Sequence, residues 1–135
     1  MTHVFPGFLI IQTIDYKSNV SGTCLGTYDD ERKEMTTPNY PNKYPMGHKT
    51  CYWDVVAPSG TRIELQFLNF SMARFDKLYI YDGPSSSSSL IQGRHTKGSS
   101  KISSGNRLHA KWRSGYYRER SGFNISIRNF YCKCY

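Results

Sequence analysis

The sequence predicts an all-β fold, a sandwich of two antiparallel sheets. Three observations predict it. Aromatic residues make up 15% of the 135 residues, which favours strands over helices. Several short segments alternate apolar and polar residues with a period of two, and no segment has the period of an amphipathic helix. This length suits one domain with a single hydrophobic core.

The predicted strands follow the alternation along the chain. Cys51–Val56 alternates up to the turn Pro58-Ser-Gly60, and Ile63–Phe67 alternates after it, so we predict that these two strands pair across the turn. Further strands are predicted at Lys77–Tyr81, Leu90–Gln92, Arg107–Arg113 and Phe123–Arg128. The polar stretches Ser85–Ser89 and Lys97–Lys101 are predicted as loops.

The predicted domain covers residues 24–130. Residues 1–23 lack a sustained period and are predicted as an N-terminal extension with one strand near Phe8–Ile14, and residues 131–135 as a cysteine-containing tail. The apolar patch near the N-terminus is a poor signal peptide and is too short for a membrane span. No other segment has the length of a membrane span, so we expect none.

Cysteines and sequons indicate an extracellular protein. The cysteines are Cys24, Cys51, Cys132 and Cys134. Asn-x-Ser sequons, at which we expect glycosylation, begin at Asn19, Asn69 and Asn124. Disulfides persist in oxidising compartments, and buried cytosolic thiols are the alternative interpretation of the cysteines. We therefore expect a secreted or extracellular glycoprotein.

A series of motifs resembles the CUB domain. In chain order they are Cys24, Thr37-Pro-Asn-Tyr-Pro-Asn-Lys-Tyr-Pro45, Cys51-Tyr-Trp53, Ile63-x-Leu65-x-Phe67-x-x-Phe70, Phe75-Asp76-x-Leu78-x-Ile80-Tyr-Asp82-Gly83 and Gly122-Phe123. The resemblance extends from about residue 24 to about residue 127. It implies a jelly-roll-like sandwich of two antiparallel sheets, a disulfide between Cys24 and Cys51, and a binding function without catalysis.

The chain departs from this resemblance in its cysteines. The second disulfide usual in CUB domains is missing, because Arg74-Phe75 and the segment 92–94 stand where its two cysteines are expected. Cys132 and Cys134 are separated by one residue and are poorly placed to bond each other. They could begin a following module, pair with another chain or be tail thiols, and an intermolecular disulfide through either is one expectation.

The acids of calcium-binding CUB domains are also mostly missing. The resemblance implies three acidic positions, which here are Ala73, Asp76 and Gly115. A calcium ion needs six or more oxygen ligands, so we predict no metal and no cofactor. We expect Asp76 to accept hydrogen bonds from loop amides instead.

Charge is distributed unevenly around a formal net charge of +8. Residues 1–82 hold eight basic and nine acidic residues, whereas residues 83–135 hold ten basic residues and one acid, Glu119. This asymmetry favours an extracellular partner with an acidic surface or a sulfated glycan, although an unpartnered basic surface is the alternative. The candidate contacts are Arg94, Lys97, Lys101, Arg107, Lys111, Arg113, Tyr116, Tyr117, Arg118 and Arg120.

The same sequence argues against catalysis and nucleic-acid binding. The four histidines are scattered, no serine lies in a Gly-x-Ser-x-Gly elbow, and no glycine-rich loop suits a phosphate. Sequons and a paired cysteine disfavour a nucleic-acid partner. We expect a non-catalytic protein–protein interaction module, part of a larger adhesion, receptor or matrix protein. The alternative is an independent carbohydrate- or glycosaminoglycan-binding protein resembling the spermadhesins.

Overall fold

A computed structural model describes residues 19–22, 34–44, 49–72, 76–91, 95–115 and 120–130. Within these ranges the chain forms strands and no helix, and none of them contains a helix able to span a membrane. The strands are β1 (Asn19–Gly22), β2 (Glu34–Thr36), β3 (Thr50–Val56), β4 (Arg62–Ser71), β5 (Lys77–Tyr81), β6 (Ser100–Ile102), β7 (Arg107–Arg113) and β8 (Gly122–Phe130).

The strands form two four-stranded antiparallel sheets. The first sheet has the order β1-β3-β7-β5, and the second has the order β2-β8-β4-β6. The prediction of an all-β sandwich with two antiparallel sheets is therefore confirmed. Strand β7 lies between β3 and β5, and this arrangement positions the candidate site described below.

The core lies between the inner faces of the two sheets. Trp53 and Trp112 on the first sheet are at most 2% exposed, and both rings meet Phe123 of the second sheet edge-on, at centroid distances of 5.8 and 6.3 Å. Ile63 and Leu65 are fully buried beside them. Each large apolar side chain buried in this way contributes about 1.5–3 kcal/mol relative to leaving it exposed.

One pairing predicted from the sequence is wrong. Strands β3 and β4 were expected to form a hairpin across Pro58-Ser-Gly60, but they belong to different sheets. The turn, closed by the Thr61 amide donating to the Pro58 carbonyl at 3.1 Å, carries the chain from one layer of the sandwich to the other. Both strands have an apolar face, and both faces contribute to the core between the two sheets.

The short strands differ most from the sequence-based expectation. Strand β1 lies within residues 1–23, which are predicted as an extension, and it pairs with β3 of the first sheet. Strand β6 falls at the end of a predicted loop, and the predicted strand at Leu90 is a single bridge to Tyr81. Strands of three or four residues are too short to show a period of two. The strand expected near Phe8–Ile14 lies outside the described residues.

Candidate binding face

Three strands of the first sheet bring tyrosines and basic residues together on its outer face. Alternate residues of β3, β7 and β5 point away from the core, because their neighbours in sequence fill it. We call this surface the tyrosine face. Its described members are Thr50, Tyr52, Asp54 and Val56 on β3, Arg107, His109, Lys111 and Arg113 on β7, and Lys77, Tyr79 and Tyr81 on β5.

The register of the strands aligns these side chains in rows. In one row Lys111 lies opposite Tyr52 on β3 and Tyr79 on β5. In the next row His109 lies opposite Asp54 and Tyr81. Directly opposed residues of antiparallel strands have Cβ atoms about 4.5–5.5 Å apart, so the side chains of a row are close neighbours.

The aromatic rings of the tyrosine face form a continuous series. Tyr79 stacks near Tyr81 with centroids 6.3 Å apart, and Tyr81 lies 5.8 Å from the ring of His109. His109 in turn stacks with Tyr52 at 6.0 Å. The Lys111 ammonium ends the series 5.9 Å from the centroid of the Tyr52 ring, within reach of a cation–π interaction. Rings that hold one another in place lose little conformational entropy when a partner packs on them.

An acidic neighbour fixes the orientation of His109. Its Nδ1 lies 2.8 Å from Oδ1 of Asp54, on the strand beside it. An ionised carboxylate can only accept a hydrogen bond, so Nδ1 donates and Nε2 is the nitrogen left for other contacts. The imidazole side chain is 14% exposed, whereas that of Asp54 is 49% exposed. The pair therefore supports the aromatic series from one side and leaves the Asp54 carboxylate in solvent.

One end of the tyrosine face carries unneutralised positive charge. Arg113 on β7 lies directly opposite Lys77 on β5, and both side chains are exposed. Within the described ranges neither forms an ion pair, and Lys111 two residues before Arg113 forms none either. Like charges directly opposite each other destabilise a sheet. A bound anionic group would relieve this repulsion, and the tyrosine rings beside it would supply apolar contact.

The residues predicted as a basic site do not all lie on this face. Arg107, Lys111 and Arg113 share it, as the alternation along β7 predicts. Lys97 and Lys101 belong instead to the turn before β6 and to β6 itself, on the second sheet. Arg94, Tyr116, Tyr117 and Arg118 lie outside the described residues. Arg120 is described and exposed, just before β8 of the second sheet.

The sequence-based candidates also omitted the residues that form the aromatic series. Tyr52, Tyr79, Tyr81 and His109 come from three separate segments of the chain. Each of them is adjacent in its strand to a buried core residue, so it points outward. What the sequence did not show is that β7 lies between β3 and β5, which is the arrangement that brings the four rings together.

Asp76 is tied to loops at the end of the first sheet. Its side chain accepts a hydrogen bond from the hydroxyl of buried Tyr44 and another, 2.5 Å long, from the backbone amide of Gly115. Asp76 thus accepts a hydrogen bond from one loop amide, as expected, and its other partner named here is a side-chain hydroxyl. No three His, Cys, Asp or Glu residues of the described segments lie close enough to hold a metal. The residues found here do not fit a calcium ion, which needs several charged oxygens.

Cys51 is the cysteine that lies among the described residues. Cys51 is fully buried in β3, two residues before Trp53, and it is disulfide-bonded. Positions 24, 132 and 134 lie outside the described part of the chain. The pairing of Cys51 with Cys24, and the state of the two tail cysteines, therefore stay predictions.

The two sheets and the buried aromatic residues between them define an antiparallel β-sandwich domain. The family model for the CUB domain matches residues 24–127, and the chain belongs to this family. Human cubilin is 32% identical over 113 residues, which cover 81% of this chain and 3% of cubilin. Human neuropilin-2 is 34% identical over 105 residues, covering 71% of this chain and 11% of that protein.

A solved structure shows the same fold. The full extracellular region of zebrafish Gpr126/Adgrg6 matches 73% of this chain with a TM-score of 0.62 and 27% identity, and the match covers 14% of that chain. The chain thus spans a small share of the length of each relative described here. The protein therefore has the CUB fold and belongs to the CUB family. The same fold occurs in the extracellular region of zebrafish Gpr126/Adgrg6.

Proposed function

We propose that this chain is a non-catalytic extracellular module that binds an acidic protein surface through the tyrosine face, as one part of a larger adhesion, receptor or matrix protein. The size of the relatives supports the second half of this proposal, because in human cubilin the matched region is 3% of the protein. The observation that supports the first half is the row in which Lys77 faces Arg113 beside the aromatic series.

The composition of the tyrosine face suits protein binding. Tyrosine and arginine are enriched in the centres of protein–protein interfaces, because each combines a large apolar surface with hydrogen-bonding groups. Among the outward side chains of β3, β5 and β7 the acidic one is Asp54, which contacts His109. The basic ones are Arg107, Lys111, Arg113 and Lys77. Such a surface attracts an acidic partner and accelerates association at low salt.

Binding to cultured cells, measured with the labelled chain, tests the class of partner. If the receptor is a protein, trypsin treatment of the cells abolishes binding, and heparinase treatment leaves it intact. Loss of binding after heparinase alone contradicts a protein partner. Because charged contacts contribute, we expect affinity to fall as salt rises.

Glycosaminoglycan binding is the second candidate, and the cluster of Lys77, Lys111 and Arg113 favours it. Sulfate groups would be attracted to these exposed charges as an acidic protein would be. Immobilised heparin is the probe: if glycan binding is the function, the double variant Lys111→Glu, Arg113→Glu loses retention at physiological salt. Undiminished retention of that variant, or no retention of the unchanged chain, removes this candidate.

A further inference from the structure

Two of the three sequons face each other across neighbouring strands of the second sheet. Asn69 on β4 is the register partner of Asn124 on β8, so both side chains lie on the outer face of this sheet. Residues opposed in this way have Cβ atoms about 4.5–5.5 Å apart. The first sugar of an N-linked glycan is already about as wide as that separation. Two glycans at these positions would compete for the same space.

Asn69 has room for a glycan. It is exposed, and it follows an irregularity in the β4–β8 register between Phe67 and Asn69. Strand β6 pairs with β4 along Glu64–Gln66, and among the described residues no strand pairs with the other side of β4 at Asn69. Its Nδ2 donates to the hydroxyl of Tyr40 at 2.8 Å. An N-glycosylated asparagine keeps one hydrogen on Nδ2, so this bond can persist. The Tyr40 side chain would then lie beside the first sugar.

Asn124 is placed differently. It lies within the central strand β8, flanked by Thr36 on β2 and by Asn69 on β4. Thr36 is 8% exposed. The amide oxygen of Asn124 is buried and has no hydrogen-bond partner among the described residues. A sugar on its amide nitrogen would have to leave the sheet between two close neighbours.

We propose that Asn69 carries an N-glycan in the folded protein and that Asn124 does not. The glycan at Asn69 then covers the outer face of the second sheet, the face opposite the tyrosine face. This inference rests on the extracellular part of the proposed function, since glycan transfer requires entry into the secretory pathway. It does not rest on the identity of the partner.

Mapping of occupied sites on the full chain, expressed behind a secretion leader in mammalian cells, tests the proposal. Enzymatic release of glycans in ¹⁸O-labelled water converts each occupied asparagine into a labelled aspartate, which peptide mass spectrometry locates. We expect the label at position 69 and not at position 124 in the secreted protein. Ser71→Ala should remove one glycan from the intact mass, whereas the matched variant Ser126→Ala should leave the mass unchanged apart from its own substitution.

The outcomes separate cleanly. Label at position 124 in the secreted, folded protein overturns the proposal, whether or not position 69 is also occupied. An unoccupied position 69 in secreted protein also overturns it, and that result leaves the proposed binding function standing. If Ser71→Ala reduces secretion, Asn69→Gln provides the second variant. Glycan transfer precedes folding, so we further expect any chains labelled at position 124 to be confined to the retained intracellular pool.

Discussion

The two outer faces of the sandwich differ in one pair of charged residues that face each other across neighbouring strands. On the second sheet Glu64 lies opposite Arg128, and Nε of Arg128 donates to Oε1 of Glu64 at 2.8 Å. On the first sheet Lys77 lies opposite Arg113, and neither forms an ion pair with a described residue. This facing pair on the second sheet is therefore neutralised within the fold, whereas the facing pair on the first sheet is not neutralised by any described residue. This difference points to the tyrosine face as the binding surface.

The largest expected effect is a loss of stability of the whole sandwich, caused by a substitution at Gly122. Gly122, which opens β8, has a φ of +87°, and a Cβ added there would lie 1.7 Å from Oγ1 of Thr37. That hydroxyl accepts a hydrogen bond from the amide of Phe123 at 3.1 Å, so it cannot move away freely. We expect Gly122→Ala to lower the free energy of unfolding by about 2–5 kcal/mol, from backbone strain and overpacking together.

Gly98→Ala is the matched control for this change. Gly98 has nearly the same φ, +88°, but no atom lies within 4 Å of an added Cβ. Its cost should be backbone strain alone, about 1–2 kcal/mol. Denaturant unfolding of both variants measures the difference, and equal losses would contradict the contact between Gly122 and Thr37.

The next effect sharpens the comparison by removing one ring from the aromatic series. Tyr52 and Leu68 are both 39% exposed, but Tyr52 belongs to the tyrosine face and Leu68 lies on β4 of the second sheet. We expect Tyr52→Ala to weaken binding to trypsin-sensitive sites on cells about tenfold, a typical loss for an interface tyrosine. Leu68→Ala should leave that affinity within about twofold. Similar losses in the two variants would mean that the aromatic series does not define the surface.

A smaller effect concerns the facing charges themselves. Lys77→Glu would place a carboxylate opposite Arg113, so we expect the free energy of unfolding to rise by about 0.2–1 kcal/mol at low salt. The mirror change on the second sheet, Glu64→Lys, should lower it by a similar amount because it places a lysine opposite Arg128. Thermal unfolding at two salt concentrations measures both. A destabilising Lys77→Glu would mean that the repulsion inferred here is absent.

The smallest expected effect is a dependence of stability on pH, and its source is His95, which packs against the second sheet. His95 stacks on Phe67 of β4 at 5.1 Å, and burial, together with the charge of Lys101, lowers its pKa. The unfolded chain then binds the proton more readily than the fold, so the stability contributed by neutral His95 is complete above about pH 6.5 and declines below it. His95→Phe should reduce the change in melting temperature between pH 7 and pH 5. An unchanged slope would remove His95 as its source.

The sequence predicted the bounds of the longer strands far better than it predicted which strands pair with each other. Strands β5 and β7 have the predicted bounds, because five to seven residues suffice to show alternation. Which strands lie side by side is not a local property, and the predicted hairpin of β3 with β4 failed for that reason.

The candidate site was predictable only in part for the same reason. Alternation along β7 gave the outward direction of Arg107, Lys111 and Arg113. The rings of Tyr52, Tyr81 and His109 could be assembled only once the register of three strands was known. The predicted site therefore joined residues of both sheets and omitted the aromatic residues on the outer face of the first sheet.

The most direct test reverses two charges on the tyrosine face and, in a control variant, two charges on the second sheet. Lys77→Glu with Arg113→Glu keeps like charges opposite each other, so the fold should be little affected while the sign of the surface is reversed. Arg62→Glu with Lys97→Glu makes the same change in net charge at exposed positions of the second sheet. We predict that the first pair weakens binding to trypsin-sensitive cell-surface sites at least about tenfold and that the second changes it less than about twofold. Equal losses from the two pairs would contradict the assignment of binding to the tyrosine face.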